Sequence, residues 1–122
     1  MAMDLEQTIV AISSAPGIGA RSIIRLSGRD AVTTALAIAE PVETVPSKSA
    51  RRITSGIKLP GDRIVTADFW IWPTDRSYTR QPQVEIHLLG SRPIADLILA
   101  QLRQQGARLA QPGEFTMRAF LA

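Results

Sequence analysis

The stretch RRITSGIKLPGDRIVTADFWIW, residues 51–72, sets the fold class. Two runs rich in β-branched and aromatic residues, 51–59 and 63–72, flank Pro60-Gly61-Asp62. Those three residues carry turn chemistry, so the segment reads as a β-hairpin. In its second arm Val65, Ala67, Phe69 and Ile71 share one face by the strand period of two, and Asp68, Trp70 and Trp72 share the other. Apolar groups on both faces imply a strand covered on both sides. Either it lies between two layers of its own chain, or the Trp70 and Trp72 face is a subunit interface, where tryptophan is enriched.

On the N-terminal side, TIVAIS (8–13) and RSIIRLSG (21–28) read as strands broken by APGIGA. Ile24 and Leu26 fall on one face of the second; Ile23, Arg25 and Ser27 fall on the other. Asp30 is placed to cap a helix running to about Glu40, with Val32, Ala35, Leu36 and Ala39 as its apolar stripe and Pro41 as its stop. On the C-terminal side, VEIHLL (84–89) alternates as a strand. Ser91 is placed to cap a helix whose Ile94, Leu97, Ile98 and Leu102 face the core, with Gly106 ending it. ARLA is a last short strand, Gln111-Pro112-Gly113 a turn, and Glu114 to Ala122 a helix just begun. Strands outnumber helices and do not alternate with them. The expectation is an α+β fold with a mixed sheet of five to six strands and three helices. It forms one domain over 1–122, with a linker-like segment at 41–50. The final helix lacks a glycine, basic or proline stop signal. The chain is therefore expected to break off within that helix, severed by a cut or by natural truncation.

The 122 residues suit one packed domain, and 45% hydrophobic with 20% charged residues is ordinary for a globular chain. The absence of cysteine excludes a disulfide scaffold, a thiolate nucleophile and a cysteine zinc site. A single histidine, His87, argues against a histidine metal centre. No apolar run reaches membrane-spanning length and MAMDLEQ does not open like a signal peptide, so a cytoplasmic location without membrane partner is expected. Twelve arginines against two lysines give a net charge of +3. They are dispersed, with Arg51-Arg52 the only adjacent pair, which favours a solvated surface over a nucleic-acid stripe.

APGIGARS lacks the third glycine of a dinucleotide fingerprint, and no Gly-Lys pair exists for a phosphate loop. It reads as a glycine-permitted turn between strands. Arg25 and Glu85 are charges inside otherwise apolar strands, and Glu85 shares a face with His87. They either pair with each other or face solvent, or they mark a ligand site on a sheet face. A carboxylate accepts two parallel hydrogen bonds from an amino-pyrimidine edge such as a pterin's, and an arginine binds a carboxylate or carbonyl.

Three segments, TIVAISSAPGIGARSIIRLSG, SYT…VEIH with its following glycine, and PGEFTMRAFL, are similar in order and spacing to one family. The chain resembles the N-terminal domain of the tRNA-modification GTPase TrmE, also called MnmE, over Thr8 to Leu121. The resemblance implies a fold like that of tetrahydrofolate-binding domains, a bound 5-formyl-tetrahydrofolate or related folate, and a homodimer contact. It also implies a following helical domain that starts at about 112–122 and is cut off, in a parent protein with a GTPase domain using GTP, magnesium and potassium. That parent works with the FAD protein MnmG (GidA) on the wobble uridine of tRNA, and no catalytic residue or metal site lies in this domain. By the resemblance, the family's folate contacts fall on Arg25 and Glu85, with His87 and Tyr78 lining the pocket. A ligand lysine would follow Ala122.

Several positions depart from the family pattern. Arg80-Gln81-Pro82 stand where Gly-Glu-Asp is usual, Leu89-Gly90-Ser91 where His-Gly-Gly is usual, and Ala20 and Arg21 where glycines are common. Ala122 replaces an asparagine. These changes cluster in expected ligand loops. They leave room for a divergent paralogue that keeps the scaffold as a dimerisation or interaction module. A third reading, a small basic RNA-contacting domain, has only the scattered arginines behind it.

Overall fold

A computed structural model describes residues 5–14, 21–40, 48–89 and 92–121. The expectations for the glycine turn at 15–20, the stop at Pro41, most of the 41–50 linker, Gly90, the Ser91 cap and Ala122 lie outside the described residues. Among the described residues there are six strands: β1 (Ile9–Ser14), β2 (Arg21–Ser27), β3 (Arg51–Leu59), β4 (Arg63–Trp72), β5 (Gln83–Leu89) and β6 (Arg108–Leu109). With them are three helices: α1 (Ala31–Leu36), α2 (Arg92–Gln104) and α3 (Glu114–Leu121). The strands form one sheet in the order β3-β4-β5-β2-β1-β6. All pairs are antiparallel except β1 with β6. The fold is the α+β mixed sheet expected from the sequence. Among the described residues no helix is long and apolar enough to cross a membrane.

The hairpin has the expected register, with Leu59 opposite Arg63 and Arg51 opposite Ile71. Its turn needs Gly61 and Asp62 at positive φ, which glycine and aspartate tolerate well. One face of the sheet carries Val10, Ile24, Leu26, Ile57, Leu59, Ala67, Phe69, Ile71, Val84, Ile86 and Leu88. Ala31, Ala35 and Ile38 from the α1 region and Ala95, Ile98 and Leu102 from α2 pack into that same core. Both helices therefore lie on one side of the sheet. The opposite face carries polar, charged and aromatic side chains together with Ile9, Ala11 and Ile23. The alternative in which β4 runs between two layers of its own chain is not what forms: Trp70, on the far face, is 37% exposed.

Two helix expectations are corrected. α1 stops at Leu36 rather than near Glu40, and Asp30 makes no capping side-chain hydrogen bond. The chain after α1 turns out to meet the sheet edge instead, with Ala39 bridging Ile57 and Glu40 N–H donating to Gly56 O at 2.9 Å. In α2, Leu97 is 43% exposed and Ala95 takes the core position, because the buried stripe runs 95, 98, 102. Gly106 ends this segment as expected. At φ 106° it lets its own N–H reach Arg103 O and Ala107 N–H reach Leu102 O, the paired bonds of a Schellman stop.

Gly28 joins β2 to the rest by a closer approach. Its φ is 146°, its N–H donates to Pro82 O at 3.0 Å, and an added Cβ would lie 2.6 Å from Thr8 Cα. An added Cβ at Gly106 meets nothing within 4 Å. Gly106→Ala should therefore cost about 1–2 kcal/mol for the backbone conformation alone. Gly28→Ala should cost about 3 kcal/mol or more, because strain and a backbone clash add. Urea denaturation of both variants checks this; equal costs would contradict the close approach.

Candidate functional site: the open sheet face

The strand registers bring the in-strand charges together. Arg25 lies opposite Glu85 across β2 and β5, and Trp70 lies opposite Glu85 across β4 and β5. The same rung continues to Ala11 on β1 and Arg52 on β3. The next rung carries Ile23, His87, Asp68 and Thr54. All these side chains stand on the face that α1 and α2 leave uncovered.

Glu85 is the hub. Its Oε2 accepts from Arg25 Nε at 3.1 Å, and its Oε1 lies 2.9 Å from His87 Nε2. The carboxylate is only 17% exposed while Arg25 is 46% exposed, so the pair has a sheltered anion and an open cation. The pairing reading of these charges is therefore realised. It does not exhaust the site: a carboxylate offers about four lone-pair directions, two of which these contacts use. Trp70 flanks the hub, its ring 6.0 Å from the His87 ring at a 53° tilt, with the Arg52 guanidinium 5.6 Å from its centre. Asp68 accepts from Thr54 Oγ1 at 2.7 Å. A cavity of about 260 Å³ opens beside His87, with Arg21, Thr66, Asp68 and Leu89 in its wall. Tyr78 is not brought to this group; its hydroxyl donates to Thr116 Oγ1 of α3 at 3.3 Å. Trp72 lies one rung further down, opposite Gln83, and is half-buried.

A family model described as GTP-binding protein TrmE N-terminus matches residues 8–122. The chain belongs to the TrmE N-terminal family. It is 39% identical to a tRNA modification GTPase MnmE of Rhodopirellula baltica, over 100% of this chain and 27% of that protein. It is 42% identical to the MnmE of Chloroflexus aurantiacus, over 96% of this chain and 26% of that one. The MnmE of Symbiobacterium thermophilum is 39% identical over 95% of this chain and 26% of its own length. The chain thus spans about a quarter of the length of these relatives.

Sequence reasoning used the motif PGEFTMRAFL to place this chain in the TrmE N-terminal family but assigned its side chains no role. The structure gives Glu114 and Arg118 one. Arg118 is 1% exposed, and its Nη1 donates to Gln81 Oε1 at 3.1 Å and to Ser27 O at 3.3 Å. Its Nη2 donates to Glu114 Oε2 at 3.3 Å. Glu114 also accepts from Arg108 Nη1 and Nη2, at 3.0 and 2.6 Å, and from the Gln111 N–H at 2.9 Å. The last bond, with Glu114 N–H donating back to Gln111 O at 3.0 Å, closes the turn that leads into α3. Ser27 Oγ shares a 2.6 Å hydrogen bond with Thr79 and donates to Gln81 Oε1. The four-residue spacing of a buried acid and a buried base on one short helix was the signal available.

This network changes the meaning of two family departures. Gln81 belongs to the Arg118 cradle. It keeps an acceptor oxygen for the guanidinium, and its amide nitrogen donates to Leu5 O. Arg80, at a usual glycine position, sits at φ 58°, the left-handed conformation that glycine serves best. The exchange costs backbone strain.

Arg108, hydrogen-bonded to Glu114, holds its carboxyl below the ordinary value of 4.5. Burial pushes it up; the Gln111 N–H and the charges of Arg108 and Arg118 push it further down. The stabilisation from a depressed carboxyl is complete above the ordinary value and disappears as pH falls through the folded-state value. Glu114→Gln should cost about 3–5 kcal/mol at neutral pH by stranding buried guanidinium charge. That deficit should narrow below about pH 4. Chemical denaturation at several pH values checks it, and a deficit independent of pH would remove Glu114 as the titrating anchor.

Proposed function

We propose that this chain is the N-terminal domain of a tRNA wobble-uridine modification GTPase, binding a formyl-tetrahydrofolate and associating as a homodimer. The observation that carries the ligand reading is the Arg25–Glu85–His87 group on an uncovered sheet face. Glu85 presents the carboxylate that the amino-pyrimidine edge of a pterin requires, and its remaining lone pairs point off the sheet's own pairing. Arg25 holds one oxygen and keeps an exposed guanidinium for a ligand carbonyl or carboxylate. His87 holds the other oxygen, which fixes the carboxylate plane. Tyr78 is left as a rim contact beside α3. The folate supplies the one-carbon unit when bound; these residues bind and orient it. GTP hydrolysis with its magnesium and potassium, the MnmG (GidA)-like FAD protein and tRNA belong to the parent. MnmE relatives are about four times longer than this chain.

Calorimetric titration of 5-formyl-tetrahydrofolate into the folded chain should show saturable heat at micromolar ligand. Glu85→Gln should weaken binding by about 1.5–3 kcal/mol, because it removes a charge-assisted acceptor. No heat well above micromolar concentration sinks the ligand reading, and an unchanged affinity in Glu85→Gln removes Glu85 from the site.

A second reading, a scaffold kept for association alone, has the exposure of Trp70 in its favour. Exposed tryptophan beside a half-buried one suits a patch covered by a second copy. Trp72→Ala should then shift the sedimentation profile from dimer toward monomer by weakening association at least tenfold, a hot-spot effect. An unaltered dimer excludes this face as the interface.

A further inference from the structure

The rung that holds Arg25 and Glu85 does not end at the hub. It runs on through Trp70 to Arg52 on the edge strand β3. Arg52 is exposed, and among the described residues no carboxylate lies within ion-pair distance of it. Its guanidinium is nevertheless placed, 5.6 Å from the centre of the Trp70 ring. A cation over an indole face is attracted by the ring quadrupole, so Trp70 presents Arg52 toward the open face instead of leaving it to solvent. The neighbouring Arg51 cannot substitute, because it alternates to the other side of β3.

Two strand spacings separate Glu85 from Arg52, roughly 10 Å, before the reach of the arginine side chain is added. A folate is built on a similar plan: an amino-pyrimidine head, an aromatic spacer, then one or more glutamate carboxylates. We infer that Arg52, presented by Trp70, is the specificity-determining residue that receives the glutamate tail of the ligand whose pterin head is held at Glu85. This rests on the folate reading above. In the same frame the exposed part of the Trp70 ring lies under the aromatic spacer, where stacking is favourable. The rung is then a linear recognition strip: carboxylate for the head, indole for the spacer, guanidinium for the tail.

The test is a cycle of two ligands and two proteins. 5-Formyl-tetrahydrofolate and the tail-less 5-formyl-6-methyltetrahydropterin are titrated into the native chain and into Arg52→Gln, with circular dichroism confirming the fold of each. Arg52 lies on an exposed edge, so the variant keeps its core. The expected result is a loss of about fivefold for the full folate, as for a solvent-exposed ion pair, and no loss for the head alone. The loss should shrink as salt is raised, and Arg52→Lys should restore part of it. Trp70→Leu should lower the full folate's affinity more than the head's. Equal effects of Arg52→Gln on both ligands, or none on either, overturn the tail assignment while leaving the head site standing. If neither ligand binds the native chain, the folate reading fails and the tail assignment fails with it.

Discussion

The alignment of β2 against β5 is the constraint on which the open face depends. Side chains alternate across a sheet, so a slip of one residue would send Arg25 into the apolar core and Ile24 to solvent. The buried faces of both strands, Ile24 and Leu26 against Val84 and Ile86, forbid that slip. The contact between Arg25 and Glu85 is thus enforced by hydrophobic burial beneath it, on the other side of the same two strands. The ion pair itself, half-exposed at the arginine, contributes little to stability. Its geometry is inherited from the core, which is why it is available to bind something else.

A second constraint acts at the lower end of that face. Arg118, Glu114 and Arg108 tie α3 and β6 to the end of β2 and to the loop that feeds β5. The Arg118 guanidinium and the Glu114 carboxylate are expensive to bury, and here the carboxylate takes several donors at once while Ser27 O and Gln81 Oε1 accept from Arg118 Nη1. The upper part of the face stays open and the lower part is closed by hydrogen-bonded polar groups. The open and the closed halves of one sheet surface are thereby separated by about one rung.

Much of this was legible from the sequence because it obeys simple periods. The hairpin at 51–72 follows from β-branched runs around Pro60-Gly61-Asp62, and the faces of β2 and β4 follow from strict alternation. The meeting of Arg25, Glu85 and His87 could be suspected but not placed, since register between strands 60 residues apart is set by packing and not by local pattern. α1 was overextended because its apolar stripe continues to Ala39, where pairing of that residue with Ile57 on β3 wins over helix propensity. By hydrophobicity alone a leucine at 97 outranks an alanine at 95, yet the buried stripe of α2 runs through Ala95, Ile98 and Leu102 and leaves Leu97 exposed. The Glu114–Arg118 network was hidden for another reason. The apolar residues of α3 point to the wrong face: Met117, Phe120 and Leu121 are exposed while Glu114 and Arg118 are buried.

The parallel pairing of β1 with β6 has a kinetic consequence. Arg108 N–H donates to Thr8 O and Ala110 N–H to Val10 O, so the first strand and the last are hydrogen-bonded across almost the whole chain. Contacts of such sequence separation are made late and slowly, after the loop between them has been closed. During synthesis the hairpin β3–β4 and its pairing with β5 can form as soon as those residues emerge. The edge at β1 must wait unpaired until residue 110 is free. The vulnerable interval for this domain is therefore the last stretch of its translation, when a nearly complete sheet still exposes one strand edge.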